Sequence, residues 1–320
     1  MNTRPLLYES TALPLSYSGT YNTIYFIHIV FNSRQQRYFY LHKPEVLLLS
    51  LLIDIRCGMT DKILKLPKNE LGRDFVVGDI HGAFDRLDQA LADVGFDKSR
   101  DRLISVGDLA NRGPQAAKCI EYLRHDWFYA VRGNHEEMFL SQVKDNGSLR
   151  FGSVEKFLNW APRLSDEERK AIYQAFDKLP FLIEVETDQG QMGFVHANVP
   201  VDMSWQTLCQ KVEAAEHKLL KNIVWGRTRI KAKDKGGVDG ITRVFLGHTI
   251  QKKDGAKKLG NCFYMDTGAV YGELAGTCKK GFMTVADINA PASQLTRKKP
   301  AKVEFHTILN EKPKKLFGLI

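Results

Sequence analysis

Carboxylates, imidazoles and one amide recur in this chain directly behind apolar runs. Asp79 and His81 follow Phe75-Val-Val77, and Asp108 follows Leu103-Ile-Ser-Val106. Asn134 and His135 follow Phe128-Tyr-Ala-Val131. His196 follows Gly193-Phe-Val195, and His248 follows Val244-Phe-Leu-Gly247. Such side chains suit borderline-hard divalent ions, Mn²⁺ first, with Fe²⁺ or Zn²⁺ as alternatives. One carboxylate can bridge two ions about 3.5–4 Å apart, as two-metal hydrolysis requires. Gly78, Gly82, Gly107 and Gly133 flank the candidates and let the backbone turn sharply beside a ligand. Taken singly, an Asp behind a strand is a turn or cap residue. A single His is usually structural. The ordered set carries the argument.

The elements that must position these residues alternate. Three apolar runs, Phe75–Val77, Leu103–Val106 and Phe128–Val131, read as strands. Phe84, Leu87, Leu91 and Val94 have helical spacing between the first two, and a second helix is expected over 114–125. The pattern is βαβαβ, so a parallel sheet buried by helices is expected. Ligands bind beyond the carboxyl ends of such strands. Residues 153–178 read as helical, with Ser165-Asp166-Glu167-Glu168 as a helix start. Further strands are expected over 181–186, 192–195, 244–246, 262–265 and 282–286. The Lys-, Asp- and Gly-rich stretch 231–240 reads as a mobile loop.

The whole chain sets the bounds. It has 320 residues, 43% of them hydrophobic and 26% charged, enough for a large core. Of the net charge of +9, residues 291–320 hold +5 and residues 1–58 hold +2, which leaves about +2 for the middle. A nucleic-acid groove is therefore not expected, and 291–320 reads as a solvated basic tail. Cys57, Cys119, Cys209, Cys262 and Cys278 are odd in number and widely spaced, which fits reduced thiols in a cytoplasmic protein. The apolar run Val46–Ile53 is too short to span a bilayer, so stable membrane insertion is not expected. Residues 1–58 read as an upstream extension, with Met59 as the natural start. The rival reading is a membrane-associating leader. Residues 59–290 form the expected catalytic domain.

The motifs themselves are specific. Gly78-Asp79-Ile-His81-Gly82, Gly107-Asp108-Leu-Ala-Asn111-Arg112-Gly113 and Gly133-Asn134-His135-Glu136 resemble the signature of the calcineurin-like metallophosphoesterases, phosphoprotein phosphatase branch. His196-Ala197, Trp225-Gly-Arg227-Thr-Arg229, Gly247-His248-Thr249 and Asp266-Thr-Gly-Ala-Val-Tyr271 are similar to the bacterial and bacteriophage lambda-type serine/threonine phosphatases. The resemblance covers about residues 72–288. It implies an α/β fold, a β-sandwich of two mixed sheets flanked by helices with a small helical insertion. It also implies two divalent ions: Asp79 and His81 on the first, Asp108 bridging, and Asn134, His196 and His248 on the second. Arg112, Arg132 and Arg227 would grip phosphate oxygens through their planar forks. Arg229 is the alternative clamp. A metal-bridging hydroxide would attack phosphorus in line, and His135 would protonate the leaving alkoxide.

One position departs from the family. Where this chain has Asn111, an Asp commonly pairs with the acid histidine. An amide supplies no charge to hold an imidazolium, so a lower His135 pKa and reduced or acid-shifted turnover are expected. The competing reading makes Asn111 a turn cap. Asp266 and Tyr271 are either neighbours of the site or turn residues. Glu136 reads as the first-turn acid of its helix. Trp160, Trp205 and Trp225 read as core anchors. The expected substrate is a phosphoserine or phosphothreonine protein or peptide. Dinucleoside polyphosphate hydrolysis, such as that of diadenosine tetraphosphate, is the alternative, and a catalytically weak scaffold is the third reading.

Overall fold

Alternate burial along each strand decides the layering. Phe75 and Val77 face one cluster of buried side chains and Val76 faces another. Leu103 and Ile104 divide the same way. So do Leu182 and Ile183, and Val244 and Phe245, across the second pair of clusters. A period of two with both faces apolar requires a sheet covered on both sides.

The computed structural model describes residues 26–31, 37–42, 61–150, 158–251, 255–271, 281–295 and 305–309. The chain divides into two compact units, Met1–Thr60 and Asp61–Ile320. In the first, β1 (Phe26–Phe31) pairs antiparallel with β2 (Arg37–His42). The second begins with β3 (Ile63–Leu66), β4 (Asp74–Val77), α1 (Phe84–Asp93) and β5 (Arg102–Ser105). It continues through α2 (Cys119–Tyr122), β6 (Phe128–Ala130), α3 (Asn134–Gln142) and α4 (Asp166–Asp177). Then come β7 (Leu182–Thr187), β8 (Gly190–Val195), α5 (Trp205–Glu213), α6 (His217–Trp225) and α7 (Thr228–Ala232). The last are β9 (Arg243–Leu246), β10 (Lys257–Leu259), β11 (Cys262–Tyr264), β12 (Phe282–Asp287), α8 (Ala292–Leu295) and β13 (Phe305–Leu309).

Two mixed sheets result. One has the order β13-β12-β4-β5-β6 and the other β10-β11-β9-β8-β7-β3. Val76, Ile104, Val106 and Val131 of the first meet Ile183, Phe194, Phe245 and Phe263 of the second in the sandwich interior. Phe84, Leu87, Phe139 and Phe176 cover the outer face of the five-stranded sheet. Trp205, Leu208 and Ile223 cover that of the six-stranded sheet. The expected sandwich is therefore present, and the expected parallel βαβαβ run is its β4-β5-β6 part, covered by helices on one face and by the second sheet on the other. In that second sheet, β8, β9 and β11 run parallel.

Four local expectations change. Residues 114–125 form a 3₁₀ turn, Ala116–Lys118, running into the single-turn α2. Between 158 and 178, Pro162 sits in a separate 3₁₀ turn and Leu164 is extended, so the helix restarts at Ser165. Ser165 then caps α4, accepting from Glu168 N while the Glu168 carboxylate accepts from Ser165 N. Residues 151–157 lie outside the described residues. The stretch 231–240 is fastened, because buried Arg229 donates to Asp234, to Gly237 O at 2.6 Å and to Pro200 O at 2.8 Å. Within the stretch read as a tail, β13 pairs antiparallel with β12. Among the described residues, no helix is long and apolar enough to cross a membrane.

Candidate metal centre

Six strand ends converge on one cavity of about 530 Å³. Asp79, Asp108 and Asn134 stand beyond β4, β5 and β6; His196, His248 and Asp266 stand beyond β8, β9 and β11. The loops are tied to one another: His81 N donates to Asp108 O at 2.8 Å and Gly247 N to His196 O at 2.7 Å. Asp108 is central. Its Oδ1 lies 3.4 Å from His196 Nε2, and its Oδ2 lies 3.6 Å from His81 Nε2. Potential ligand atoms of Asp108, His196 and His248 lie within 4.8 Å of one another, and so do those of His81, Asp108 and His135. Asp108 belongs to both groups, the placement that a bridging carboxylate needs. Asn134 Oδ1 lies 3.0 Å from His196 Nε2 and 2.7 Å from His248 Nδ1. Asp79 accepts from His248 N at 3.0 Å.

Backbone carbonyls fix the imidazole tautomers. A carbonyl only accepts, so the ring nitrogen facing it carries the proton. His81 Nδ1 faces Ala110 O at 3.1 Å, His196 Nδ1 faces Val106 O at 2.7 Å, and His248 Nε2 faces Trp225 O at 3.2 Å. Each therefore turns an unprotonated nitrogen toward the Asp108–Asn134 cluster, the orientation metal-ligating histidines adopt.

His135 is different. Trp160 Nε1–H can only donate, and it lies 2.6 Å from Asn111 Oδ1. The Asn111 amide NH₂ must then face His135 Nδ1, at 2.9 Å. Where Nδ1 accepts, the ring's proton sits on Nε2, on the cavity side. Arg112 Nη2 can only donate and stands 3.1 Å from His135 Nε2, so Asn111 and Arg112 both aim donors at a ring whose neutral form has one lone pair. Three histidines aim lone pairs at the Asp108–Asn134 cluster, and this ring is crowded by donors instead.

Charge follows burial. Burial, then Asp266 and Asp108, pushes the Asp79 carboxyl well above the usual range. Burial raises Asp108 and Asp266 to about 7. Burial lowers His196 to about 4 and His248 to about 3, and holds His81 well below its ordinary value. Burial first and the Arg112 guanidinium second push His135 down to about 2. Crowded buried carboxylates beside neutral imidazoles are a donor set that exchanges protons for cations. The residues present fit divalent metal.

Backbone strain gathers at the same place. Eight described non-glycine residues have positive φ, and five belong to the site: His81, Asp108, Asn111, Arg112 and His248. Such conformations persist where surrounding contacts over-determine them. Gly133 and Gly247 have a different role. A Cβ on either would run into the Asp108 or the Asp79 carboxylate.

Arg112 and Arg227 line the cavity, and Arg227 Nη2 donates to His248 O at 3.3 Å. The structure does not bring Arg132 to them. Its guanidinium donates to Glu137 Oε1 at 3.0 Å and to Asp177 O, and it faces an adjoining cavity. Arg229 is not a clamp, being 1% exposed and consumed by its own loop. Asp266 and Tyr271 do reach the cavity, and so does Trp225, which at 42% exposed is no core anchor.

Glu136 was under-read as a dipole partner. Its buried carboxylate accepts from Asp108 N at 2.9 Å, Leu109 N at 2.9 Å and Gly133 N at 2.8 Å. It therefore clamps the second metal loop to the third. The signal for this role was its place beside Asn134-His135.

Comparison with known proteins agrees with this geometry. The family model described as calcineurin-like phosphoesterase matches residues 75–252. The chain belongs to the calcineurin-like phosphoesterase family. It is 35% identical over 202 residues to serine/threonine-protein phosphatase 1 of Salmonella typhimurium, covering 62% of this chain and 87% of that protein. It is 29% identical over 154 residues to a symmetrical bis(5'-nucleosyl)-tetraphosphatase of Pseudomonas syringae pv. tomato, covering 48% of this chain and 49% of that one. A solved Saccharomyces cerevisiae protein serine/threonine phosphatase shares the fold, with a TM-score of 0.50, 15% identity, and coverage of 80% of this chain and 86% of that one. Within this family of metal-dependent phosphoesterases, the cavity at the strand ends is the candidate hydrolytic site.

Proposed function

We propose that the chain hydrolyses phosphomonoesters of serine and threonine in proteins, using two divalent ions. The observation that carries the reading is the shared position of Asp108 between two ligand groups, with Arg112, Arg227 and His135 around one cavity. Asp79 and His81 would hold one ion, Asn134, His196 and His248 the other, and Asp108 both. When bound, the ions supply charge for the phosphoryl oxygens and lower the pKa of water.

The chain's own residues do the rest. Arg112 and Arg227 orient the phosphate and offset charge that develops on its oxygens. As an imidazolium, His135 would give its Nε2 proton to the leaving alkoxide and return to the neutral ring. Asn111 and Trp160 keep that ring turned. Arg132 stands apart and is assigned no phosphate contact.

Protein substrates suit the rim. Trp225 and Ile250, 42% and 38% exposed, are large apolar side chains bordering a charged cavity. A side chain next to the phosphoresidue would cover them. The P. syringae relative supports a second reading, hydrolysis of dinucleoside polyphosphates. Full-length protein with Mn²⁺ should turn over a phosphoseryl peptide and p-nitrophenyl phosphate faster than diadenosine tetraphosphate. Turnover of the dinucleotide alone would overturn the reading.

A further inference from the structure

A second cavity, of about 570 Å³, adjoins the catalytic one. Met138 and Trp225 line both, so one wall separates the two spaces. Beyond that wall the lining is apolar: Phe181, Leu220 and Val224 stand with the exposed face of Trp225. Lys221 and Arg132 set its charge, against the single carboxylate of Glu137, and His217 also lines it. That carboxylate is bonded to Arg132, whose guanidinium also lies 4.8 Å from the Phe181 ring centroid.

We propose that this cavity is a specificity subsite, taking an aromatic or long aliphatic side chain next to the phosphoresidue, with an acidic residue alongside at Lys221. The proposal rests on the phosphopeptide reading. The shared wall of Met138 and Trp225 puts the occupant within reach of the same substrate as the reacting phosphate. The apolar wall gives the contact its affinity. The positive edge selects the acid. A nucleoside base fits less well, because base edges need hydrogen-bonding partners. The Ser141 hydroxyl donates to Met138 O at 2.8 Å and Glu137 is held by Arg132, which leaves Lys221 and His217 as the other polar lining groups, and a cationic Lys221 suits an acid better than a base edge.

Lys221 is exposed on α6 and takes no part in the metal or phosphate cluster. The test compares two phosphoseryl peptides with the full-length protein and Mn²⁺. One carries Phe and Glu beside the phosphoserine and the other Gly and Lys. The first should have a kcat/KM higher by on the order of tenfold, since pocket contacts of this size discriminate at that level. Lys221→Glu should erase most of that preference through KM and leave p-nitrophenyl phosphate turnover unchanged. Equal kcat/KM for the two peptides in the parent protein would overturn the subsite while the phosphatase reading stands. So would a Lys221→Glu loss confined to diadenosine tetraphosphate, which would assign the cavity to a nucleoside. Failure to hydrolyse either peptide, with the dinucleotide turned over, would remove the phosphatase reading and the subsite together.

Discussion

His135→Asn is expected to lower kcat for a phosphoseryl peptide by about 10²–10⁴-fold, the range for losing a positioned general acid. The same variant should lose far less with p-nitrophenyl phosphate, because a nitrophenolate departs without a proton. The reason lies in the ring's place: His135 Nε2 faces the cavity, so its imidazolium form would present a proton to the leaving oxygen, although the Asn111 amide at Nδ1 disfavours that form. Equal losses on both substrates would assign His135 to another role, such as metal binding. The neighbour gives the complementary result. An Asp at 111 could still accept from Trp160 Nε1 through one oxygen, and would accept from His135 Nδ1–H through the other. That arrangement stabilises the imidazolium that an amide donor opposes. Burial already holds the His135 pKa low, and a carboxylate would move it upward, enlarging the protonated fraction at any given pH. Asn111→Asp should therefore raise peptide turnover on the order of tenfold and move the acid-side optimum to higher pH. An unchanged rate and profile would leave Asn111 as a turn cap.

Glu136→Ala should destabilise the fold strongly without replacing any proposed metal ligand. It strips the acceptor from three buried backbone donors, on Asp108, Leu109 and Gly133. Each buried donor left alone costs about 1–3 kcal/mol. The midpoint of thermal unfolding should fall by on the order of 10 °C. The loops that it joins carry Asp108 and Asn134, so Mn²⁺ affinity should weaken by about 10–100-fold, as when the supports of metal ligands are removed. Glu136→Gln should lie between, because one oxygen remains while the new NH₂ opposes an N–H. Calorimetry and a Mn²⁺ titration read both effects. An unchanged midpoint would mean that solvent replaces the carboxylate and that the clamp is not structural.

What the sequence discloses follows from which interactions are local. Asp79, Asp108, Asn134, His196 and His248 could be placed because each directly follows an apolar strand, and strand ends are where open sheets leave side chains exposed to ligand. The division of β4–β6 and β8–β11 between two sheets was not available from periodicity, since a strand buried on both faces looks the same in either. It came through the family resemblance. Arg132 illustrates the opposite limit. Its motif position suggests phosphate, yet Glu137 five residues on and Asp177 on α4 hold it elsewhere. Arg229 likewise has a motif position that suggests phosphate, yet Asp234 and the Gly237 carbonyl hold its guanidinium. Glu136 and Trp160 act through contacts 27 to 49 residues distant, which no local pattern contains. Such pairings need the folded chain.

Metal content measured alongside turnover tests the central claim most directly. Full-length protein should be stripped with a chelator, then titrated with Mn²⁺ while phosphoseryl-peptide hydrolysis is followed. The expected result is no hydrolysis without metal, two ions bound per chain at full activity, and loss of both the stoichiometry and the activity in Asp108→Asn. Full turnover in the stripped protein, or an Asp108→Asn variant that binds two ions and works normally, would contradict a dinuclear site built around Asp108.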